Sequence, residues 1–480
     1  MPGSVIGIYG LGIMGRNLAL NFAGRGHAVS VYNRDEPSER VHVGPFLESS
    51  RGKGITGAGR IEEFLSSIEP PRRIVLMIKA GPPVDEALER LVPFLFEGDI
   101  IIDCGNSDYL DTERRLAALG ERGILYVGCG VSGGAEGALR GPSLMPGGAP
   151  GVWASIRPLF ESVAARLGDG SPCCTWIGPG GSGHFVKMAH NGIEYSLMQV
   201  HAEAFDLMRR GLGMPDDEIA AVTGEWNRGR LGSYLAGMIA DILATRDADG
   251  ASLLEKIRDS VGQKGTGSRA ASAALELASP SSVLAASVFA RMVSSRGDLR
   301  ARLSRDFPGT GDSLTRSDSL LRDLEDAVYC SAAVSCDQGF SLMRAAAAEY
   351  GWHLDFADVA RTWRGGCIIR SAMMDNIEEV FRARPGTPTI LTEGPFAGAI
   401  REGQGGWRRA LGFAIDRGVP VPSMSSALAC FDAMRSPRLP ADLLQAMRDY
   451  FGAHGFERRD TSPGERHHGN WKRSSRGGFE

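Results

Sequence analysis

The chain has 480 residues, with 57 acidic and 53 basic side chains and a formal charge of −4. At roughly 100–200 residues per domain, that length predicts two to four domains. The near-balance of charge excludes a sequence-independent nucleic-acid binder, and the 43% hydrophobic content excludes global disorder. Glycine is over-represented, at 64 residues or about 13%, against a usual share of about 7%. With no triplet period the chain is not collagen, so the glycines serve particular loops and close packings. The eight cysteines (Cys104, Cys129, Cys173, Cys174, Cys330, Cys336, Cys367 and Cys430) are scattered, form no CxxC pair, and read as reduced thiols. No secretory leader is legible, and no apolar run approaches the roughly 20 residues that span a bilayer. The expectation is a soluble, cytoplasmic, multidomain protein.

In chain order, short β-branched runs predict strands at Val5–Tyr9, Ala28–Tyr32, Arg73–Ile78, Ile100–Asp103 and Leu125–Val127. Helical stretches such as Asn17–Gly24 and Asp111–Leu119 lie between them. This alternation predicts βαβ crossovers and a mainly parallel, doubly wound sheet. Gly168–Gly183, rich in Gly, Pro and Ser, reads as a boundary. From His184 to about Met434, Ala/Leu/Met segments with a period near 3.6 predict an all-helical domain. The remaining residues are polar, rich in Arg and His, and read as an extended tail. The expected division is 1–180, 181–437 and 438–480.

The helical part carries a repeated pair of anchors. Phe205-Asp-Leu-Met-Arg209 precedes Trp226-Asn-Arg-Gly229, and Phe340-Ser-Leu-Met-Arg344 precedes Trp363-Arg-Gly-Gly366 at nearly the same interval. Two anchors in the same order predict a duplicated helical unit.

Gly10-Leu11-Gly12-Ile13-Met14-Gly15 follows the first strand and opens a helix, the context that a dinucleotide-binding GxGxxG requires. The second strand ends in Asn33-Arg34-Asp35 rather than in a lone acid. An arginine there suits a 2′-phosphate and favours NADP, whereas the Asp35 carboxylate would repel that phosphate and leaves NAD open. Further on, Lys187, His190, Asn191 and Glu194 fall at i, i+3, i+4 and i+7, on one helical face. A solvated charged face is the alternative. The apolar neighbours Phe185, Val186, Met188, Ala189 and Ile193 instead predict a cleft, where a lysine can act as a base. Val131–Gly134 with Gly141–Gly148 presents unobstructed N–H groups, and Gly262–Gly267 adds Lys264 and the Thr266 hydroxyl on a second glycine-rich loop. With Arg291 they suggest a phosphorylated or carboxylated substrate. No cluster resembles a metal site.

The motifs GLGIMGRNL, YNR, IKAG, IIDCGNS, GVSGGAEGALRGPSLMPGG, GHFVKMAHNGIEY, VGQKGTG, WRGGCIIRS and RDYFGAH occur in this order. The chain thereby resembles the long-form 6-phosphogluconate dehydrogenase (decarboxylating) family over essentially its whole length. The resemblance implies a Rossmann-type domain, an all-α domain and oxidative decarboxylation of 6-phosphogluconate to ribulose 5-phosphate with NADP. It implies Lys187 as base and then acid, and Glu194 as the acid that protonates C1 of the enediol. It implies that Asn106, Ser132, Gly133, Gly134, His190 and Asn191 orient the sugar acid. Tyr195, Lys264 and Arg291 would hold the phosphate, supported by Thr266. Ile78, Lys79, Ala80 and Asn106 would lie along the cofactor. Arg448 and His454 would complete the neighbouring subunit's pocket in a homodimer. The chain departs from the family pattern at Asp35, Cys104, Ala135, and Ser268-Arg269. A β-hydroxyacid dehydrogenase acting on an unphosphorylated acid, and a catalytically silent NADP-binding protein, are the competing readings.

Overall fold

A computed structural model describes residues 3–34, 43–262, 265–309 and 318–471. The chain divides into two compact units, Met1–Ala427 and Leu428–Glu480.

The first unit begins with eight strands: β1 (Ile6–Tyr9), β2 (Val29–Tyr32), β3 (Ile55–Ala58), β4 (Arg73–Leu76), β5 (Ile100–Asp103), β6 (Leu125–Ser132), β7 (Ser143–Gly148) and β8 (Gly178–Pro179). They form one sheet in the order β3-β2-β1-β4-β5-β6-β7-β8. Pairing is parallel from β3 through to β6, and β6 and β7 pair antiparallel. The crossovers contain α1 (Ile13–Gly24), α2 (Val43–Ser49), α3 (Ile61–Ser66), α4 (Pro82–Leu91), α5 (Tyr109–Gly120), α6 (Gly134–Arg140) and α7 (Trp153–Val163). Strand residues alternate between two cores, as a period of two requires. Ile6, Ile8, Ile100 and Ile102 pack with Leu18 and Phe22 of α1 on one face. Tyr9, Ile74, Leu76 and Ile101 pack with Val84 and Leu88 of α4 on the other. Covering both faces is what lets the strands be continuously apolar.

The predicted strands are all present, within a residue or two at their starts, although β6 runs on to Ser132. The glycine-rich segment 141–148 departs from its reading as an open anion-binding loop. Ser143–Gly148 is a wholly buried strand whose residues register against Val127–Ser132. At its two glycines close packing leaves no room for a side chain: a Cβ would lie 2.5 Å from Ser182 Oγ at Gly147 and 2.4 Å from Tyr126 O at Gly148.

Helices follow: α8 (Ser182–Asp206), α9 (Asp216–Arg228), α10 (Tyr234–Ala244), α11 (Thr266–Glu276), α12 (Ser282–Ser294) and α13 (Gly297–Asp306). Then come α14 (Asp318–Tyr350), α15 (Phe356–Thr362), α16 (Ala372–Ala383), α17 (Gly394–Asp416) and α18 (Pro422–Met434). The duplication is visible in their hydrogen bonds. Glu203, two residues before Phe205, accepts from the Ser423 and Met424 N–H groups at the start of α18, at 2.8 and 2.9 Å. Gln338, two residues before Phe340, accepts from Val283 N–H at the start of α12, at 2.9 Å. The copies meet where Ser233, preceding α10, bridges Ser371, preceding α16, in antiparallel fashion.

Within the second unit, α19 (Ala441–Gly452) is followed by a two-stranded ribbon of β9 (Phe456–Glu457) and β10 (Arg466–His467). Asp449 organises it. One carboxylate oxygen takes Gly455 N–H and His468 Nδ1 at 2.9 and 2.7 Å, and the other takes Gly469 N–H and Trp471 Nε1 at 2.9 and 2.8 Å. The Gly469 bond leads the set that holds this carboxyl well below its usual range.

Candidate active site

The order of the parallel strands reverses between β1 and β4, and a crevice opens outside their carboxyl ends. A cleft of about 320 Å³ there is lined by Gly10, Gly12, Asn33, Arg34, Ile78 and Lys79, among others. Each glycine of the turn has a distinct task. Gly10 has φ +105°, and a Cβ there would lie 2.6 Å from Met77 O. A Cβ on Gly15 would lie 1.9 Å from Gly10 O, so only glycine lets α1 approach the turn. A Cβ on Gly12 would meet nothing within 4 Å, so this position leaves room for an approaching pyrophosphate. Leu11 is fully buried and offers only its backbone, whose N–H donates to Asn33 Oδ1 at 2.9 Å. Ile13 is exposed at the rim, while Met14 packs toward the core. Arg34 lies 3.8 Å from Glu86, and Ala80 follows Lys79 half-buried. These residues fit a dinucleotide. Asp35 lies outside the described residues.

The second part of the site starts at α8, which leaves the sheet and runs into the helical region. Its first turns press on β6 and β7 at glycines: Cβ atoms on Gly130 and Gly183 would lie 2.4 Å from Lys187 Cβ and 2.3 Å from Gly128 O. This contact is why Lys187 is buried, at 7% exposure, rather than solvated. Burial pulls its ammonium below the ordinary lysine range, partly opposed by the charge of Glu194. Burial likewise pushes the Glu194 carboxyl up, with Lys187 and Arg291 opposing. The two groups, on one helix two turns apart, are thus shifted in opposite directions by the same burial.

His190 is fully buried and held well below its usual range, first by burial and then by the charge of Lys187. Its Nδ1 lies 3.1 Å from Asn191 Oδ1, an oxygen that can only accept, so Nδ1 carries the proton. Nε2 therefore accepts from the Ser132 hydroxyl, at 3.1 Å. A neutral imidazole accordingly joins the end of β6 to α8, and Glu194 stands 3.6 Å from its Nδ1. Gly133, at φ +118°, turns the chain beside Ser132 and would clash with Gly366 O if it bore a Cβ, at 2.4 Å. Gly134 is exposed beside it.

Asn106, exposed at the end of β5, lines a narrow cleft with Lys187, Thr266 and Arg269. Deeper in α8, the Arg291 guanidinium stacks 3.4 Å over the Tyr195 ring. A Cβ on Gly267 would lie 2.4 Å from that ring, so glycine at the start of α11 admits it. Lys264 lies outside the described residues. Arg448 and His454 belong to the second unit, where both are exposed and Arg448 donates to Gln445 at 3.1 Å.

Several contributors were not singled out from the sequence. Trp363, read only as a repeat anchor, packs edge-on against His190 with ring centroids 5.5 Å apart. His184 donates from Nε2 to Asp103 O at 3.1 Å, and its Nδ1 meets the Thr112 hydroxyl at 2.6 Å. Asp103 and Arg115 form a buried cluster under Asn106. A carboxylate at the end of an apolar strand was the one signal that could have pointed there. Among the described residues, no group of His, Cys, Asp and Glu could hold a metal ion. No helix among them is long and apolar enough to cross a membrane.

A glycine turn at a sheet switch point, followed by a buried lysine–carboxylate helix, defines a nicotinamide-dependent dehydrogenase with its chemistry at the head of a helical domain. Residues 5–178 match the model of the NAD binding domain of 6-phosphogluconate dehydrogenase, and residues 183–471 match that of its C-terminal domain. The chain belongs to the 6-phosphogluconate dehydrogenase family. It is 50% identical over 452 residues to the decarboxylating 6-phosphogluconate dehydrogenase of Schizosaccharomyces pombe, covering 94% of this chain and 91% of that protein. It is 46% identical to the decarboxylating enzyme of Ovis aries over 97% of this chain and 96% of the other. Among solved structures, Plasmodium falciparum 6-phosphogluconate dehydrogenase, studied in its apo form and with NADP+ or 6-phosphogluconate, superposes with a TM-score of 0.92. It is 34% identical and covers 97% of this chain and 100% of its own.

Proposed function

We propose that this chain oxidises and decarboxylates 6-phosphogluconate to ribulose 5-phosphate and CO₂ with NADP. The observation that carries the reading is the buried α8 face, where Lys187 and Glu194 have their proton affinities moved in opposite directions. The Gly10–Gly15 turn, with Asn33, Arg34, Ile78, Lys79 and Ala80 beside it, would hold NADP, which would supply the acceptor for the hydride of C3.

Lys187, whose proton burial makes easier to lose, takes the proton of the C3 hydroxyl. The product of oxidation is a β-keto acid, in which the carbonyl can take up the electrons released as CO₂ departs. Lys187, now an ammonium, returns its proton to that carbonyl oxygen. Glu194, whose carboxyl burial pushes up, then delivers a proton to C1 of the enediol while Lys187 takes back the C2 hydroxyl proton, which leaves the ketone. Ser132, Gly133, Gly134, His190, Asn191 and Asn106 orient the carboxylate and hydroxyls. Tyr195, Lys264 and Arg291 hold the phosphate, with Thr266 in support. Arg448 and His454 complete the partner's site in a homodimer, and the domains divide functionally at 1–180, 181–437 and 438–480. Eight free cysteines, seven of them buried, accord with a cytoplasmic setting.

The test is purified protein with 6-phosphogluconate and NADP or NAD, following reduced nicotinamide and released CO₂ together. Equal yields of both products are expected, with NADP preferred. Reduction without CO₂ would favour a simple β-hydroxyacid dehydrogenase, and neither product would sink the assignment.

A further inference from the structure

Beneath Asn106 lies a polar cluster for which the chemistry above has no task. Asp103 closes β5 and is fully buried. Its Oδ1 accepts from Gly105 N–H at 2.9 Å, and its Oδ2 accepts from the Ser107 and Tyr126 hydroxyls at 2.5 and 3.0 Å. One carboxylate therefore grips the residues on both sides of Asn106. Arg115 of α5, 1% exposed, brings Nη1 to 3.6 Å from the same Oδ2 and 3.4 Å from Ser107 Oγ. It also donates to both oxygens of Asp85, at 2.9 and 3.0 Å, and to Gly81 O at 3.1 Å. Gly81 directly follows Ile78–Ala80, so the cluster joins the cofactor-side loop to the substrate-side turn.

Burying an ion pair is a weak route to stability, because apolar residues of similar volume often serve as well. What a fully satisfied buried network does supply is one defined geometry. Here that geometry is the turn carrying Asn106, whose path is also constrained at Gly105: a Cβ there would lie 3.0 Å from Asp103 Oδ1 and 3.1 Å from Ile78 O.

We propose that Asp103, held by Arg115, is a positioning residue for the reaction, which sets the Gly105–Ser107 turn so that Asn106 meets substrate in one orientation. The inference rests on Asn106 being a site residue. Its consequence is that Asp103 acts through Asn106 and not in parallel with it.

The experiment compares Asp103→Asn, Asn106→Ala and the double variant, measuring kcat and the 6-phosphogluconate KM separately, with the thermal midpoint of each. Asp103→Asn keeps the Oδ1 acceptor but turns an amide toward three donors. It is expected to lose about 10- to 100-fold in kcat/KM, as small misplacements of an oriented group do. The double variant is expected to match Asn106→Ala alone. Near-wild-type kinetics in Asp103→Asn, or a double loss equal to the product of the single losses, would overturn the inference and leave Asn106 in the site. Unchanged kinetics in Asn106→Ala would overturn both. Should Asp103→Asn fold poorly, Ser107→Ala removes a single hydroxyl. It is expected to lower kcat/KM at least about threefold at an unchanged melting temperature, and wild-type kinetics there would equally count against the inference.

Discussion

Lys187 illustrates how one residue's environment decides its chemistry. On an exposed helix it would be a solvated cation; against β6 it is buried, and its proton is easier to lose. Glu194 experiences the reverse. The expected consequence is a bell-shaped kcat/KM profile, rising with pH as Lys187 deprotonates and falling as Glu194 does. Glu194→Gln should lower kcat about 100-fold with little change in substrate KM, and should remove the falling limb. Steady-state kinetics across pH test both statements, and an unaltered falling limb would remove Glu194 from its role. The same burial also costs stability. A lysine whose folded pKa lies below its unfolded value weakens the fold at every pH below the ordinary lysine range, in full below the folded pKa and progressively less as pH rises from there to the unfolded value. Lys187→Met should therefore abolish turnover yet raise the thermal midpoint at neutral pH by about 2 °C. The gain should shrink as pH rises toward the ordinary lysine range. A lower midpoint in the variant would contradict this account.

Among the elements, α8 is the one on which the site depends. It is buried along nearly its whole length, because sheet, α11, α12 and α14 all pack on it. Its contact with β6 tolerates no side chain at Gly130. Gly130→Ala should cost about 1–3 kcal/mol by overpacking and should displace Lys187. Thermal melts and kcat are then expected to fall together, and loss of neither would mean that the contact relaxes without strain. The polar face at Lys187, His190, Asn191 and Glu194 was legible from the i, i+3, i+4, i+7 spacing alone. That Lys187, His190 and Asn191 are buried rather than solvated followed from their apolar neighbours. The Ser132–His190–Asn191 hydrogen-bond chain was not legible, since it joins a strand end to a helix 58 residues further on. Segment 143–148 was misread for a related reason: its small residues suit either an open loop or a strand packed under a helix, and composition cannot separate the two.

At the scale of the whole molecule, the proposed exchange of tails between subunits has a direct genetic test. A Lys187→Met chain and an Arg448→Ala chain should each be nearly inactive as homodimers. In the mixed dimer, one site would have both its own lysine and an intact partner arginine. Refolded or co-expressed at equal amounts, the pair should recover about one quarter of wild-type activity, since half the dimers are mixed and each carries one whole site. Recovery absent at every mixing ratio would place Arg448 outside the partner's site.

The sequence by itself determined the features that repeat locally or are spelled out over a few residues. These are the alternation of strands and helices, the dinucleotide turn with its glycines, the duplicated anchors, the α8 polar face and the family resemblance. Each arises from backbone periodicity, from glycine's missing Cβ or from a run of adjacent side chains, so a linear reading suffices. Only the tertiary structure decided which distant groups share an environment. It brought Trp363 of the second repeat against His190 of the first, and set Gly130 beneath Lys187. It also enclosed Asp103 with Arg115 under Asn106. Proton affinity depends on burial and on neighbouring charge, and both are set by what packs around a group.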